Sequence, residues 1–107
     1  MELTGGSKLV GLLFYYKVPY FDYFEVGFYI VPAERGNGYG TEAMRQLVKF
    51  IFGTYSTETI VAGTSSLNLP SQKALQKTGF KEIGTMQKTL FRNGQWEDSI
   101  IYQIMRN

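Results

Sequence analysis

Cysteine and histidine are both missing from the 107 residues. Without cysteine there is no disulfide framework and no thiol nucleophile. Without histidine the commonest general base and the commonest metal ligand are gone, and no metal is expected. Charge of one sign is scarce too: eleven Lys and Arg against nine Asp and Glu leave a net charge of +2. The cations are scattered, which argues against a nucleic-acid partner. No apolar run is long enough to span a membrane, Leu9 to Tyr16 being far too short, and no signal peptide is evident. The default expectation is a soluble cytoplasmic protein that binds neither nucleic acid nor membrane.

What is present is hydrophobic and aromatic: 44% hydrophobic residues, with eight Tyr, eight Phe and one Trp. That composition suits a globular, strand-rich chain, and the length suits a single domain over residues 1–107. Gly5-Gly6 reads as a hairpin turn after Leu3, the last residue of a strand whose body is missing. Lys8 to Lys17 is apolar on both faces, as a central strand would be. Phe24 to Val31 alternates, with Phe24, Val26, Phe28 and Ile30 on one face and Glu25, Gly27, Tyr29 and Val31 on the other. Pro32 ends its ladder. A helix is expected over Thr41 to Phe52, with Ala43, Met44, Leu47, Val48, Ile51 and Tyr55 on its apolar face and Gly53 as its stop. Glu58 to Gly63 is a short buried strand. Asn68 and Pro70 open a second helix that Gly79 closes. A strand then runs from Phe80 to about Phe91, Asn93-Gly94 turns the chain, and Trp96 to Met105 returns. The predicted order is β-β-β-α-β-α-β-β.

Between the strand ending at Val31 and the first helix lies Arg35-Gly36-Asn37-Gly38-Tyr39-Gly40. A strand, a glycine-rich turn and a helix N-terminus together aim backbone N–H groups and a positive dipole end at one point, which suits a phosphate or pyrophosphate. A P-loop would need Lys-Ser or Lys-Thr after its last glycine, but Gly40 is followed by Thr41-Glu42. The dinucleotide fingerprint would need G-x-G-x-x-G, and here the spacing is G-x-G-x-G. The loop alone is also compatible with a plain strand-to-helix turn.

The wider pattern narrows the choice. Arg35-x-x-Gly38-x-Gly40 resembles the Q/R-x-x-G-x-G/A signature of the GNAT superfamily of acetyl-CoA-dependent N-acetyltransferases. Phe28-x-Ile30-x-Pro32 before it, and Asn68-x-x-Ser71 with Gly79-Phe80 after it, stand at that family's spacing. The segments EVGFYIVPAERGNGYGTEA, NLPSQKALQKTGF and GQWEDSIIYQI are similar to the branch that contains ribosomal-protein N-terminal acetyltransferases and spermidine or antibiotic relatives. The likeness covers roughly residues 8 to 106.

This resemblance implies a mixed α/β fold and acetyl-CoA as cosubstrate, without a metal. It implies pyrophosphate binding by the main chain of Arg35, Gly36, Asn37, Gly38, Tyr39, Gly40 and Thr41, and pairing of the pantetheine arm with the backbone of Phe28, Tyr29 and Ile30, where the family's sheet is splayed. Asn68 would touch that arm and Ser71 would face the departing sulfur; Lys73 and Lys77 could meet the 3′-phosphate. The acceptor would be an amine, a peptide N-terminus or a small molecule, attacking the thioester directly. Glu25 is the candidate base, acting through water, and Asp98 and Tyr102 are further polar candidates near the acceptor. Two departures stand out. Leu75 occupies the place where many relatives carry a tyrosine acid, and the family's opening strand and two helices are lacking, so the chain reads as truncated at its N-terminus. The exposed strand edge this leaves points to a homodimer, and a non-catalytic acyl-CoA-binding module is the alternative reading.

Overall fold

The computed structural model describes residues 11–30 and 39–107. Within these residues five strands and two helices follow one another as β1 (Gly11–Lys17), β2 (Phe24–Ile30), α1 (Tyr39–Thr54), β3 (Thr59–Ser65), α2 (Leu69–Thr78), β4 (Lys81–Arg92) and β5 (Gln95–Met105). The expected strand ending at Leu3 lies outside the described residues; the remaining order is as predicted. The strands form one mixed sheet in the order β1-β2-β3-β5-β4. Among the described residues only the β2–β3 pair is parallel; β1–β2, β3–β5 and β4–β5 are antiparallel.

One face of the sheet carries the core. Ala43, Met44, Leu47, Val48 and Ile51 recur at the spacing that puts them on one side of α1, and all five are buried. Four of them pack against Phe24 and Val26 of β2, Ile60 and Ala62 of β3, and Tyr102 of β5, joined by Leu75 of α2 and by Phe80. Both helices therefore cover the same face. Tyr55, expected on the buried stripe, is instead partly exposed and packs its ring 4.6 Å from that of Phe24, within an aromatic group that includes Tyr15 and Phe50.

Two expectations need correction. Lys8 to Lys17 reads as a central strand, but among the described residues β1 is an edge, with Phe14, Tyr15 and Tyr16 exposed. Its two-sided apolar character does not report burial on both faces. Gly53 does not stop α1, which runs on to Thr54, with Tyr55 N–H still donating to the Ile51 carbonyl at 2.9 Å. That helix has no basic residue in its last turn. Its closing cation comes from the far end of the chain: the Arg106 guanidinium donates to the carbonyls of Phe52 and Tyr55, each at 2.8 Å, and of Thr57 at 2.9 Å.

The second helix ends as its sequence indicates. Gly79 sits at φ 111°, in the left-handed region that a side chain disfavours, and its N–H donates to the Gln76 carbonyl at 3.1 Å. Asn93 and Gly94, at φ 54° and 75°, make the tight turn between β4 and β5.

Candidate active site

The sheet is split along its parallel seam. β2 pairs with β3 only where Phe24, Glu25 and Val26 face Ile60, Val61 and Ala62. Beyond that point β2 runs on to Ile30 along β1, and β3 runs on to Ser65 along β5. The two strands part into a wedge, and Gly27 to Ile30 border it without a β3 partner. Phe28, Tyr29 and Ile30, the residues expected to receive an extended ligand, thus lie on a strand edge whose N–H and C=O groups on the β3 side have no ladder. Such an edge can take an added strand.

At the far end of β2, segment 31–38 leads into α1, whose first turn holds Tyr39, Gly40 and Thr41. Arg35, Gly36, Asn37 and Gly38 lie outside the described residues. On either side of them stand the end of β2 at Ile30 and the start of α1 at Tyr39.

The other rim of the wedge is the turn from β3 into α2. Asn68 caps the helix, its Oδ1 accepting from the Ser71 N–H at 3.1 Å. Asn68 is exposed and Ser71 half-buried in the first turn. Leu75 is buried in the core. Lys73 and Lys77 lie on the exposed side of α2.

Glu25 is placed differently from Ser71. It pairs with Val61, inside the closed part of the seam, and projects from the sheet face opposite the helices. Measured along β3, Val61 lies four residues before Ser65, about 13 Å at the rise of a strand. Glu25 and Ser71 therefore stand on opposite faces of the sheet, with the wedge between them.

Tyr16, the cross-strand partner of Glu25, donates its hydroxyl to the Glu25 carboxylate. That bond, followed by burial, pushes the Tyr16 hydroxyl above its usual pKa, so it remains a donor. Next to this pair, the Phe14 ring fills the space where a Cβ on Gly27 would stand. Glycine at the apex of the wedge is explained by this close approach. The role of Tyr16 was not read from the sequence, because it depends on the β1–β2 register. Strand alternation would have revealed it once that register was known.

Of the remaining candidates, Tyr102 is fully buried in the core, where Gln76 Nε2 donates to its hydroxyl at 3.5 Å. Its side chain is part of the hydrophobic cluster. Asp98 organises the neighbouring backbone, its Oδ1 accepting from Lys88 N–H at 2.9 Å and its carbonyl from Ser66 N–H at 2.8 Å.

A second carboxylate went unread in the sequence. Glu97 on β5 is buried, and Arg92 of β4 approaches it with Nη2 at 2.7 Å and Nε at 3.0 Å. Ser65 Oγ donates to the same carboxylate at 2.5 Å. The Arg92 bonds first, and then the Ser65 bond, hold the Glu97 carboxyl down at about 2.

Residues 2–81 match the acetyltransferase (GNAT) domain family. The chain is 35% identical over 80 residues to "Probable N-acetyltransferase YjcK" of Bacillus subtilis (strain 168), a match that covers 75% of this chain and 44% of that protein. It superimposes on an acetyltransferase (GNAT family) from Bacillus anthracis with a TM-score of 0.85 at 27% identity, covering 96% of this chain and 62% of the other. For the ribosomal-protein-S5-alanine acetyltransferase of Vibrio fischeri the TM-score is 0.82, again at 27% identity, over 92% of this chain and 55% of that one. The chain spans about half the length of the curated relatives it matches.

Proposed function

We propose, from the premise that the chain belongs to the acetyltransferase (GNAT) family, that it takes acetyl-CoA as donor and passes the acetyl group to a primary amine on a peptide N-terminus or a small molecule. The observation that carries this reading is the parting of β2 from β3 beyond Val26 and Ala62. It gives an extended thioester arm a strand edge to pair with inside the sheet, between two strands that are each laddered on their other side.

The parts of the site fit such a donor. The free edge of Gly27 to Ile30 offers backbone donors and acceptors to the pantetheine amides. The glycine-rich segment from Arg35 to Gly38 and the first turn of α1 through Thr41 would hold the pyrophosphate, with Arg35 adding charge. Asn68 uses its Oδ1 for the cap, so contact with the arm falls to its amide nitrogen. When bound, acetyl-CoA supplies an activated acyl group: the amine nitrogen bonds to the acyl carbon, the carbon–sulfur bond breaks, and one proton leaves nitrogen while one reaches sulfur.

Within this reading the chain's own residues handle the protons. Glu25, held by Tyr16 beside the apex of the wedge, accepts the amine proton through water. Ser71, on the opposite side of the wedge, faces the sulfur and supplies a hydrogen bond as the thiolate departs. An α-amine with a pKa of roughly 8 needs only modest help of this kind.

Glu25→Gln is expected to lower kcat by about 10²-fold, within the usual range for acid–base assistance, with affinity for CoA unchanged. A pH–rate profile of the same shape and height as the parent's would remove Glu25 from the mechanism. A second reading, an acyl-CoA-binding module without turnover, draws on the exposure of Phe14 and Tyr16, among the described residues, on the sheet face opposite the helices. Steady-state transfer to a panel of peptide and polyamine amines, run alongside CoA binding, separates the two.

The proposal extends to a homodimer. Among the described residues β1 is an edge strand with three exposed aromatic side chains, and edges of this kind tend to be paired. Light scattering at high micromolar concentration should give twice the chain mass of 12.2 kDa. A clean monomer under those conditions would exclude this assembly.

A further inference from the structure

We propose that Glu97 is a positioning residue: anchored by Arg92, it fixes through Ser65 the turn that presents Asn68 and Ser71 to the wedge. The inference rests on the site reading given above and adds to it a carboxylate that touches neither donor nor acceptor.

The chain of contacts is continuous. Glu97 lies on the strand next to β3, on the sheet face opposite the helices, and is 6% exposed. Its carboxylate accepts from Arg92 and from Ser65 Oγ. Ser65 Oγ in turn accepts from the Leu67 N–H at 3.1 Å. The Ser65 carbonyl accepts from Asn68 N–H at 3.0 Å and from Gln72 Nε2 at 3.1 Å. Asn68 then caps the helix through Ser71 N–H. Arg92, Glu97, Ser65, Asn68 and Ser71 thus link the β4–β5 hairpin to the first turn of α2.

The polar choice has a physical meaning. Glu97 is withdrawn from water while Arg92 stays half exposed; burying one carboxylate in this way often gives no more stability than an apolar side chain of similar volume, and its best-attested contribution is a fixed geometry. Here the geometry concerns the turn that follows the ladder of β3: Ser65 still pairs with Ser99 and Ser66 N–H donates to the Asp98 carbonyl, and Leu67 and Asn68 lie just beyond that pairing. Because Glu97 stays ionised far below any working pH, this hold does not change across an assay's pH range. Misplacing a group near a reacting centre by an ångström can cost as much as the loss of a catalytic side chain.

The test uses Ser65→Ala, Glu97→Leu, Glu97→Gln and the double variant Ser65→Ala/Glu97→Leu. Ser65→Ala leaves the Arg92–Glu97 pair intact and removes only the link to the turn. It is expected to lower kcat by about 10- to 100-fold with a smaller rise, about two- to fivefold, in the KM for acetyl-CoA, since most of the arm would bind β2 and only Asn68 of this turn would touch it. Glu97→Gln keeps an acceptor for the Ser65 hydroxyl and should recover most of the rate, whereas Glu97→Leu should resemble Ser65→Ala. The double variant should be no slower than either single variant, because both cut the same link. Amide hydrogen exchange at Leu67, Asn68 and Ser71 should speed up by about 10-fold in Ser65→Ala, with the core strands unchanged.

Faster exchange with an unchanged kcat would reduce Glu97 to a purely structural role and overturn the proposal. Unchanged exchange in an active protein would overturn it as well. A parent chain that binds CoA but turns over no amine overturns the catalytic reading itself, and the positioning role with it. That outcome is distinguishable because it appears before any substitution is made.

Discussion

Gly38→Val protein should still fold, yet gain almost nothing from acetyl-CoA. Gly38 belongs to the segment joining Ile30, the last residue of β2, to Tyr39, the first of α1. If that segment is a pyrophosphate cradle, its middle glycine leaves room for the ligand against the main chain, and a valine side chain occupies ligand volume. At a hundred times its dissociation constant, acetyl-CoA should stabilise the parent by about 2.7 kcal/mol and the variant by nearly zero. If the glycine serves only the turn, valine at positive φ would cost roughly 1–2 kcal/mol, and the folded molecules would bind as before. Thermal unfolding with and without ligand separates these cases. A variant that melts lower but shows the full ligand-induced shift would defeat the cradle, and with it the assignment of CoA binding to this loop.

Arg106→Ala should be among the most destabilising single changes outside the core, at about 2–3 kcal/mol. The guanidinium donates to three carbonyls at the end of α1 and just beyond it, and lies 4.9 Å from the centre of the Phe52 ring. These carbonyls close a helix that has no cation of its own in its last turn, so removing the side chain leaves them to water and the helix dipole uncompensated. The ion pair with Glu58, at 3.4 Å and largely exposed on the glutamate side, should contribute little. For a domain of this size the midpoint should fall by roughly 10 °C or more. Arg106→Lys should recover only part of the loss, because an ammonium keeps the charge but cannot span three acceptors as a planar fork does. Urea unfolding that places Arg106→Ala within about 0.5 kcal/mol of the parent, the range of an ordinary surface change, would show that water replaces the fork without cost.

The features that could be read directly from the chain are those whose signals lie within a few residues of one another. Asn68, Pro70 and Gly79 bracket α2 because capping, the first-turn proline and the left-handed stop all act over about one helical turn. The buried face of α1 follows from its own periodicity, and the turn at Asn93-Gly94 from two adjacent residues. Family membership was legible for a related reason: the spaced segments around Arg35, Asn68 and Gly79 keep their order and separation along the chain.

Tertiary structure decided whatever depends on register between distant segments. The wedge opens beyond Val26 and Ala62; Gly27 and Gly63 stand just past those residues, but a glycine within a strand does not say which neighbour is lost, because each strand stays paired on its other side. Tyr16 meets Glu25 only through the β1–β2 register. Ser65, Arg92 and Glu97 converge only once β5 lies between β3 and β4. Gly53 looked like the end of α1, yet the helix passes it and is closed by Arg106, which β5 carries back to that end of the sheet. Local propensity sets which segments are helix or strand, whereas the partners of a side chain are set by which strands lie next to each other and at what offset. Those pairings are fixed by burial of the whole sheet face, a quantity that no short stretch of sequence contains.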